Sequence, residues 1–275
     1  MILSIVIPTF NIEAYVDSCL LSVETALNQI DGGIEVVIVD DASTDRTRDI
    51  IAQHQRTIPQ LTVIQHSRNQ GPAVSRNSGI RHAVGEWVLF LDGDNLIYPE
   101  TLKFILGKIL PIYQEDVFIL GMALIDQNGI PIGKFYGDYL KVNPADILNN
   151  MPYFLLQDNF MDNFALVRRR LLLPDGYDTS LPYLEDWDLW IRLTYHVGAS
   201  FRFIPETLGA YRVRTDSLHT SFGMQNPRYV NALIQVYAKS LSTINMPNDI
   251  RQRILSNVMY LSSSFAENTG YDRWT

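Results

Sequence analysis

What most limits the folds open to this 275-residue chain is an alternation in its first half, where short apolar runs take turns with amphipathic segments of helix length. Leu3 to Ile7, Glu35 to Val39, Leu61 to Gln65, Trp87 to Leu91 and Val117 to Leu124 read as strands. The segments near Ala14 to Asn28, Asp45 to Gln55, Ala73 to Ala83 and Pro99 to Leu110 read as helices between them. Strands so continuously apolar are covered on both faces. A βαβα order with right-handed crossovers therefore implies an α/β fold, a mostly parallel sheet flanked by helices. Ligands of such sheets gather outside the carboxyl ends of the strands. The polar residues just past each strand thus carry the search for function.

Composition narrows the ligand. Lys and Arg number 22 against 30 Asp and Glu, a net charge of −8, which argues against nucleic acid because phosphate backbones need clustered positive charge. A diphosphate would have to meet a local cation, either a metal or a few arginines. The single Cys19 excludes an internal disulfide and any multi-cysteine metal site, and suits a reducing compartment. The longest uncharged apolar stretch, Val117 to Ile125, falls far short of the roughly 20 residues that a membrane-spanning helix needs. No basic segment precedes the apolar start and Pro8 interrupts it, so no signal peptide is expected. The expected location is cytoplasmic, with peripheral association at the inner face of the membrane left open.

From about Asn128 to Asp178 the pattern breaks into Gly-, Pro-, Asn- and Asp-containing segments, which suits an irregular region able to shape an acceptor pocket. Further on, Asn226 and Pro227 form an N-cap and first-turn pair ahead of Val230, Leu233, Ile234, Tyr237 and Leu241 at helical spacing. A second helix is expected from near Pro247, with Ile250, Ile254, Val258 and Leu261 on one face. The expected division is one domain over 1–220, with a nucleotide-binding half of about 1–126 and an acceptor half of about 127–220. A helical segment over 221–275 then packs on the core, forms an oligomer or partner surface, or leads to further chain.

Four clusters carry chemistry. Asp92-Gly93-Asp94-Asn95 follows the Trp87 to Leu91 strand, and two carboxylates there can hold Mg²⁺ or Mn²⁺ through oxygen while leaving sites for water and phosphate; the same residues also make an ordinary Asp-Gly turn. Asp40-Asp41-Ala42-Ser43-Thr44-Asp45 follows the Glu35 to Val39 strand. Ser43, Thr44 and Asp45 are expected to cap the next helix. Asp41 either accepts from a nucleobase N–H, beside backbone offered by the Ile7-Pro8-Thr9 turn, or caps its own loop. Asn69 to Gly79 introduces a helix bearing Arg76, whose fixed donors suit a base carbonyl or a phosphate, or else a salt bridge. Last, Glu185-Asp186-Trp187-Asp188 opens a helix in which the acids either stabilise the N-terminus or supply a general base, with Trp187 and Trp190 as core or sugar-stacking groups.

In order, Val6 to Asn11, Val39 to Asp45, Gly71 to Gly79, Gly85 to Asp94 and Glu185 to Leu189 resemble the motifs of the large inverting glycosyltransferase family 2, over about residues 2–217. That resemblance implies a GT-A fold. It also implies a nucleoside-diphosphate sugar donor, with uridine the common base, and a hydroxyl acceptor on carbohydrate, lipid-linked glycan or protein, as in surface polysaccharide synthesis. By resemblance Pro8, Thr9, Asp41 and Arg76 would face the base, Asp92 the ribose and Asp94 a Mn²⁺ or Mg²⁺ ion bridging the diphosphate. Asp186 would be the catalytic base, with Glu185 supporting it. One departure stands out: Arg214 occupies a place where the family often has histidine. It cannot ligate a metal but can meet phosphate, and His219 is the nearby substitute. The competing expectations are a nucleotidyltransferase acting on sugar phosphates and a non-catalytic carbohydrate-binding module on the same fold. The former lacks its Gly-rich basic loop at Pro8 to Glu13, and no dinucleotide or P-loop signature is present.

Overall fold

The computed structural model describes residues 1–136, 161–214, 226–242, 246 and 248–269. Four strands, β1 (Leu3–Thr9), β2 (Ile34–Asp40), β3 (Leu61–Gln65) and β4 (Trp87–Phe90), pair in parallel. They are linked by α1 (Val16–Leu27), α2 (Thr47–His54) and α3 (Pro72–His82). Successive residues of β1, β2 and β4 are buried, whichever face they point to. That is the consequence of helices covering both sides of a parallel sheet.

Beyond β4 the sheet becomes mixed. The short β5 (Leu96–Ile97) follows, then α4 (Thr101–Phe104) with a π-helical continuation over Ile105–Ile109, and then β6 (Val117–Ile125). β6 does not lie against β4 but is separated from it by β8 (Ala165–Arg168), antiparallel to both. β9 (Phe201–Arg212) runs parallel to β6 and antiparallel to β5, while β7 (Pro131–Lys134) adds to the free side of β6. The order is β3-β2-β1-β4-β8-β6-β9-β5, with β7 off the path. The parallel expectation thus describes the nucleotide side, and the other half departs from it. β8 has only four residues, and β9 carries Pro205 and exposed residues at its middle, so neither shows a clean period in sequence.

α5 (Glu185–Arg192) lies ahead of β9, and α6 (Pro227–Leu241) and α7 (Asn248–Thr269) close the described chain. Asn226 caps α6, its side-chain oxygen accepting from the Arg228 amide at 3.0 Å. α6 packs on α5 through an edge-to-face contact of Tyr237 with Trp187, centroids 5.4 Å apart. Lys239 adds an ion pair to Asp178 and lies 3.7 Å from Asp188. On α7, Ile254 is buried and Val258 packs partly against the core. No helix among the described residues is long and apolar enough to cross a membrane.

Candidate active site

β1 and β2 end level with each other, Thr9 opposite Asp40, and the loops that leave them are stitched by side chains. Ser43 Oγ accepts from Asn11 N at 3.0 Å and Asn11 Oδ1 from Thr44 N at 2.8 Å. Thr47 Oγ1 accepts from Ile12 N at 2.9 Å, and Asp45 from Glu13 N at 3.0 Å. This corrects the expectation that Ser43, Thr44 and Asp45 all cap α2: only Asp45 bonds at its start, accepting from Thr47 N at 3.0 Å. The others are used between loops, a demand that local sequence does not reveal. Asn11 and Ala42 both take positive φ, 49° and 64°, unusual for residues other than glycine and concentrated where strain serves a site.

Asp41 sits beside the Pro8–Thr9 turn, its amide donating to Thr9 O at 2.8 Å. Its buried carboxylate accepts from Gly71 N and His66 Nδ1, both at 2.7 Å, and from Gln70 N at 3.0 Å. His66 Nε2 in turn meets Ser78 Oγ at 2.9 Å. Of the two readings of Asp41, loop capping is thus the one its bonds display: it anchors the turn that begins α3. Thr9 is likewise engaged, its hydroxyl donating to Val39 O at 3.2 Å. His66 had no motif to mark it; only the folded register brings it to Asp41.

Arg76, one turn into α3, is buried. Its Nη2 donates to Asp92 Oδ1 at 2.7 Å and its Nη1 to Glu185 Oε1 at 2.8 Å. It therefore joins the turn after β4 to the start of α5. The next residue, Asn77, accepts from Tyr177 N and donates to Tyr177 O, each at 2.8 Å. Gly176 completes this contact: its φ is +57°, and a Cβ there would stand 2.2 Å from Asn77 Oδ1.

In the Asp92-Gly93-Asp94 turn the glycine is required by space, since a Cβ would meet Ile12 Cδ1 at 2.6 Å and Thr9 Cγ2 at 2.8 Å. Asp94 Oδ2 lies 2.7 Å from Arg214 Nη1. Arg212 Nε donates to Asp94 O at 2.8 Å and its Nη1 to the carbonyls of Asp126 and Gln127. Both guanidinium groups stand over the Tyr15 ring, at 5.1 and 4.8 Å. Burial, and then the charge of Asp92, push the Asp94 carboxyl above the usual carboxylate range, with Arg214 pulling the other way. Among the described residues no group of three or more His, Cys, Asp or Glu converges as a metal cage. The hard carboxylate oxygens of Asp94 and Asp92 fit Mg²⁺ or Mn²⁺, ions that keep water and phosphate ligands and need only one or two carboxylates. His219 lies outside the described residues.

α5 starts abruptly from Leu184, held at φ 62°. Trp187, Leu189 and Trp190 are buried, so both tryptophans are core groups and sugar stacking by them is excluded. Asp186 remains half-buried, with Oδ1 accepting from Trp187 N at 2.7 Å. Asp188 turns away to Arg192 at 2.7 Å, and Arg192 also donates to Gly176 O at 2.7 Å. Sequence reading missed Asp162, buried just ahead of β8. Burial first, then the charge of Asp92 and more weakly that of Asp186, raise its carboxyl to about 8. Asp162 thus shares the electrostatic environment of both acid motifs.

A half-parallel sheet of this kind, with acids at the end of its fourth strand and on the facing helix, defines the GT-A class, and solved structures match it. Residues 1–349 of TarS from Staphylococcus aureus, in complex with UDP-GlcNAc, superpose with a TM-score of 0.71 at 24% identity over 98% of this chain and 75% of that one. A Pyrobaculum calidifontis mannosyltransferase in complex with GDP-Man and Mn²⁺ gives 0.66 at 19% identity over 99% and 76%. The chain belongs to the family described as "Glycosyl transferase family 2", whose model matches residues 4–171. Full-length TarS, a poly(ribitol-phosphate) beta-N-acetylglucosaminyltransferase, is 25% identical over 98% of this chain and 45% of its own length. The poly(ribitol-phosphate) beta-glucosyltransferase of Bacillus spizizenii is 39% identical over 68% of this chain and 28% of its own length. The chain spans about half the length of the curated relatives it matches.

Proposed function

We propose that this chain transfers a sugar from a nucleoside-diphosphate sugar, with uridine as the base, to a hydroxyl acceptor with inversion at the anomeric carbon. The observation that carries the reading is the bridge through Arg76, which at 2.7 and 2.8 Å ties Asp92 to Glu185. On this reading the strand-end acids and the acids of α5 are two walls of one site. Pro8, Thr9 and the turn anchored by Asp41 would form the base pocket, Arg76 would hold its wall together, and Asp92 would meet the ribose. Asp94 would hold Mn²⁺ or Mg²⁺, which when bound offsets negative charge on the leaving diphosphate. Asp186, half-buried and on a helix fixed by Leu189 and Trp190, would take the proton of the acceptor hydroxyl as its oxygen displaces the nucleoside diphosphate in line.

The UDP-GlcNAc complex of TarS supports the choice of uridine, and the relatives that act on poly(ribitol-phosphate) support a polyol or sugar hydroxyl of a surface polymer as acceptor. The test is a panel of nucleotide sugars with and without Mn²⁺ or Mg²⁺, following melting temperature and then release of nucleoside diphosphate. A UDP-sugar should stabilise the protein in a metal-dependent way and be slowly hydrolysed. Stabilisation by no donor under any metal condition would sink the reading.

A further inference from the structure

We propose that His66 is a positioning residue for base recognition: by donating from Nδ1 it ties the Asp41 carboxylate to the sheet and keeps one acceptor position in place for the ring N–H of uracil, which cytosine lacks. The inference rests on the reading of Asp41 and its turn as part of the base pocket. His66 follows the last residue of β3, and its amide donates to Asp40 O at 2.9 Å. Its ring lies between Asp41, just past β2, and Ser78 on α3, with Nδ1 2.7 Å from Asp41 Oδ1 and Nε2 2.9 Å from Ser78 Oγ. The side chains of His66 and Asp41 are both withdrawn from solvent, 9% and 4% exposed.

The two ends of this chain of bonds fix its direction. Asp41 takes the Gln70 amide at 3.0 Å and the Gly71 amide at 2.7 Å, and a carboxylate that receives amides accepts from the imidazole as well. His66 therefore carries a hydrogen on Nδ1. In a neutral imidazole of that tautomer Nε2 is an acceptor, which the Ser78 hydroxyl can fill. Ser78 Oγ in turn lies 3.0 Å from Arg81 Nη2, and a guanidinium can only donate. Every member of the chain is thus satisfied in one arrangement. The Gln70 and Gly71 amides belong to the turn that Asp41 itself anchors, so turn and carboxylate could shift together. His66 instead adjoins β3, which pairs with β2 and sets Gln65 opposite Asp40, so its bond refers the carboxylate to the sheet. The two oxygens of Asp41 offer about four acceptor positions, and His66, Gln70 and Gly71 leave one for a ligand. Uracil in a nucleotide has its ring N–H at N3, where cytosine has a bare nitrogen that a carboxylate repels.

The test uses the whole chain with Mn²⁺ present, and calorimetry compares UDP with CDP for the parent, Asp41→Ala, His66→Asn and His66→Gln. The parent should prefer UDP by about tenfold or more, the scale of one hydrogen bond to a charged group, and Asp41→Ala should lose that preference. Asparagine offers an N–H near the place of Nδ1, and glutamine one near that of Nε2. His66→Asn should therefore keep most of the preference and His66→Gln should lose about tenfold of it, with CDP affinity little changed in either. A role limited to filling space would give the reverse, since glutamine is closer to histidine in size. Histidine ring ¹⁵N resonances of the unsubstituted chain should also show His66 with a hydrogen on Nδ1. A UDP preference kept by His66→Gln, one lost in His66→Asn, or a His66 ring without a hydrogen on Nδ1 overturns the inference. Absence of the preference in the parent, or its survival in Asp41→Ala, overturns instead the reading of Asp41, and the inference with it.

Discussion

Arg76 on α3 and Glu185 on α5, 109 positions apart in sequence, form a buried ion pair at 2.8 Å. Removing one partner of such a pair strands the other charge, which costs about 3–5 kcal/mol for a fully buried pair. Arg76→Met would leave both Glu185 and Asp92 without their cation. It should therefore destabilise the protein by about 2–4 kcal/mol in urea unfolding and weaken nucleotide binding as well. Glu185→Gln keeps an acceptor for Arg76 and should be milder on both counts. If Arg76→Met matches the parent in urea midpoint, the bridge does not hold the two walls together.

Asp41 yields a different pattern, because its carboxylate meets the Gln70 and Gly71 amides and His66. Asp41→Ala would leave those donors unpaired, and each buried one costs about 1–3 kcal/mol. Nucleotide affinity should fall by a similar amount, with metal dependence retained. Calorimetry that finds unchanged affinity for UDP would remove Asp41 and its turn from the base pocket.

Asp162 sets a pH dependence. Its carboxyl is raised from 3.8 to about 8, so the native state holds this proton more tightly than the unfolded chain does. The stability so gained is complete below about pH 4 and is lost as pH rises towards about 8. Asp162→Asn keeps an oxygen for the Phe164 amide, which Asp162 now accepts at 2.9 Å, and has no proton to lose. Between about pH 5 and pH 8 the melting temperature of the parent should therefore fall relative to that of Asp162→Asn. Parallel curves for the two would show that the aspartate is not buried in its neutral form.

The sequence made the first four strands, their crossover helices and the Asn226 cap legible because each has a local cause: a continuous apolar run, a helical period or a capping side chain. β8 and β9 were hidden by shortness and by Pro205. At the site, motifs pointed to Asp92, Asp94, Glu185 and Asp186, yet they could not show that Arg76 spans from one pair to the other. Nor could they show that Arg214 lies on Asp94 or that Asp162 joins them. Those relations depend on which strand lies beside which, and β8, which begins just after Asp162, was itself unread. Ser43 and Thr44 show the same limit: a residue suited to capping bonds instead with a loop about 30 residues away.

The choice of base is the most discriminating test, because Glu185, Asp186 and Asp188 stand within one helical turn and the structure gives them different partners. Glu185 accepts from Arg76, and Asp188, almost wholly buried, is held by Arg192 at 2.7 Å. Neither can take a substrate proton without giving up a cation. Asp186 accepts from Trp187 N through Oδ1 at 2.7 Å and is half-buried rather than fully enclosed. Asp186→Asn keeps an oxygen for that amide and removes the basic carboxylate, so on the reading of Asp186 as the base donor affinity should persist while turnover falls by about 10² or more, the scale of a lost general base. Asp188→Asn should instead lower the melting temperature by loosening Arg192. The deciding measurement is the single-turnover rate at saturating donor and acceptor. A near-normal rate for Asp186→Asn would move the role to another acid or to the substrate.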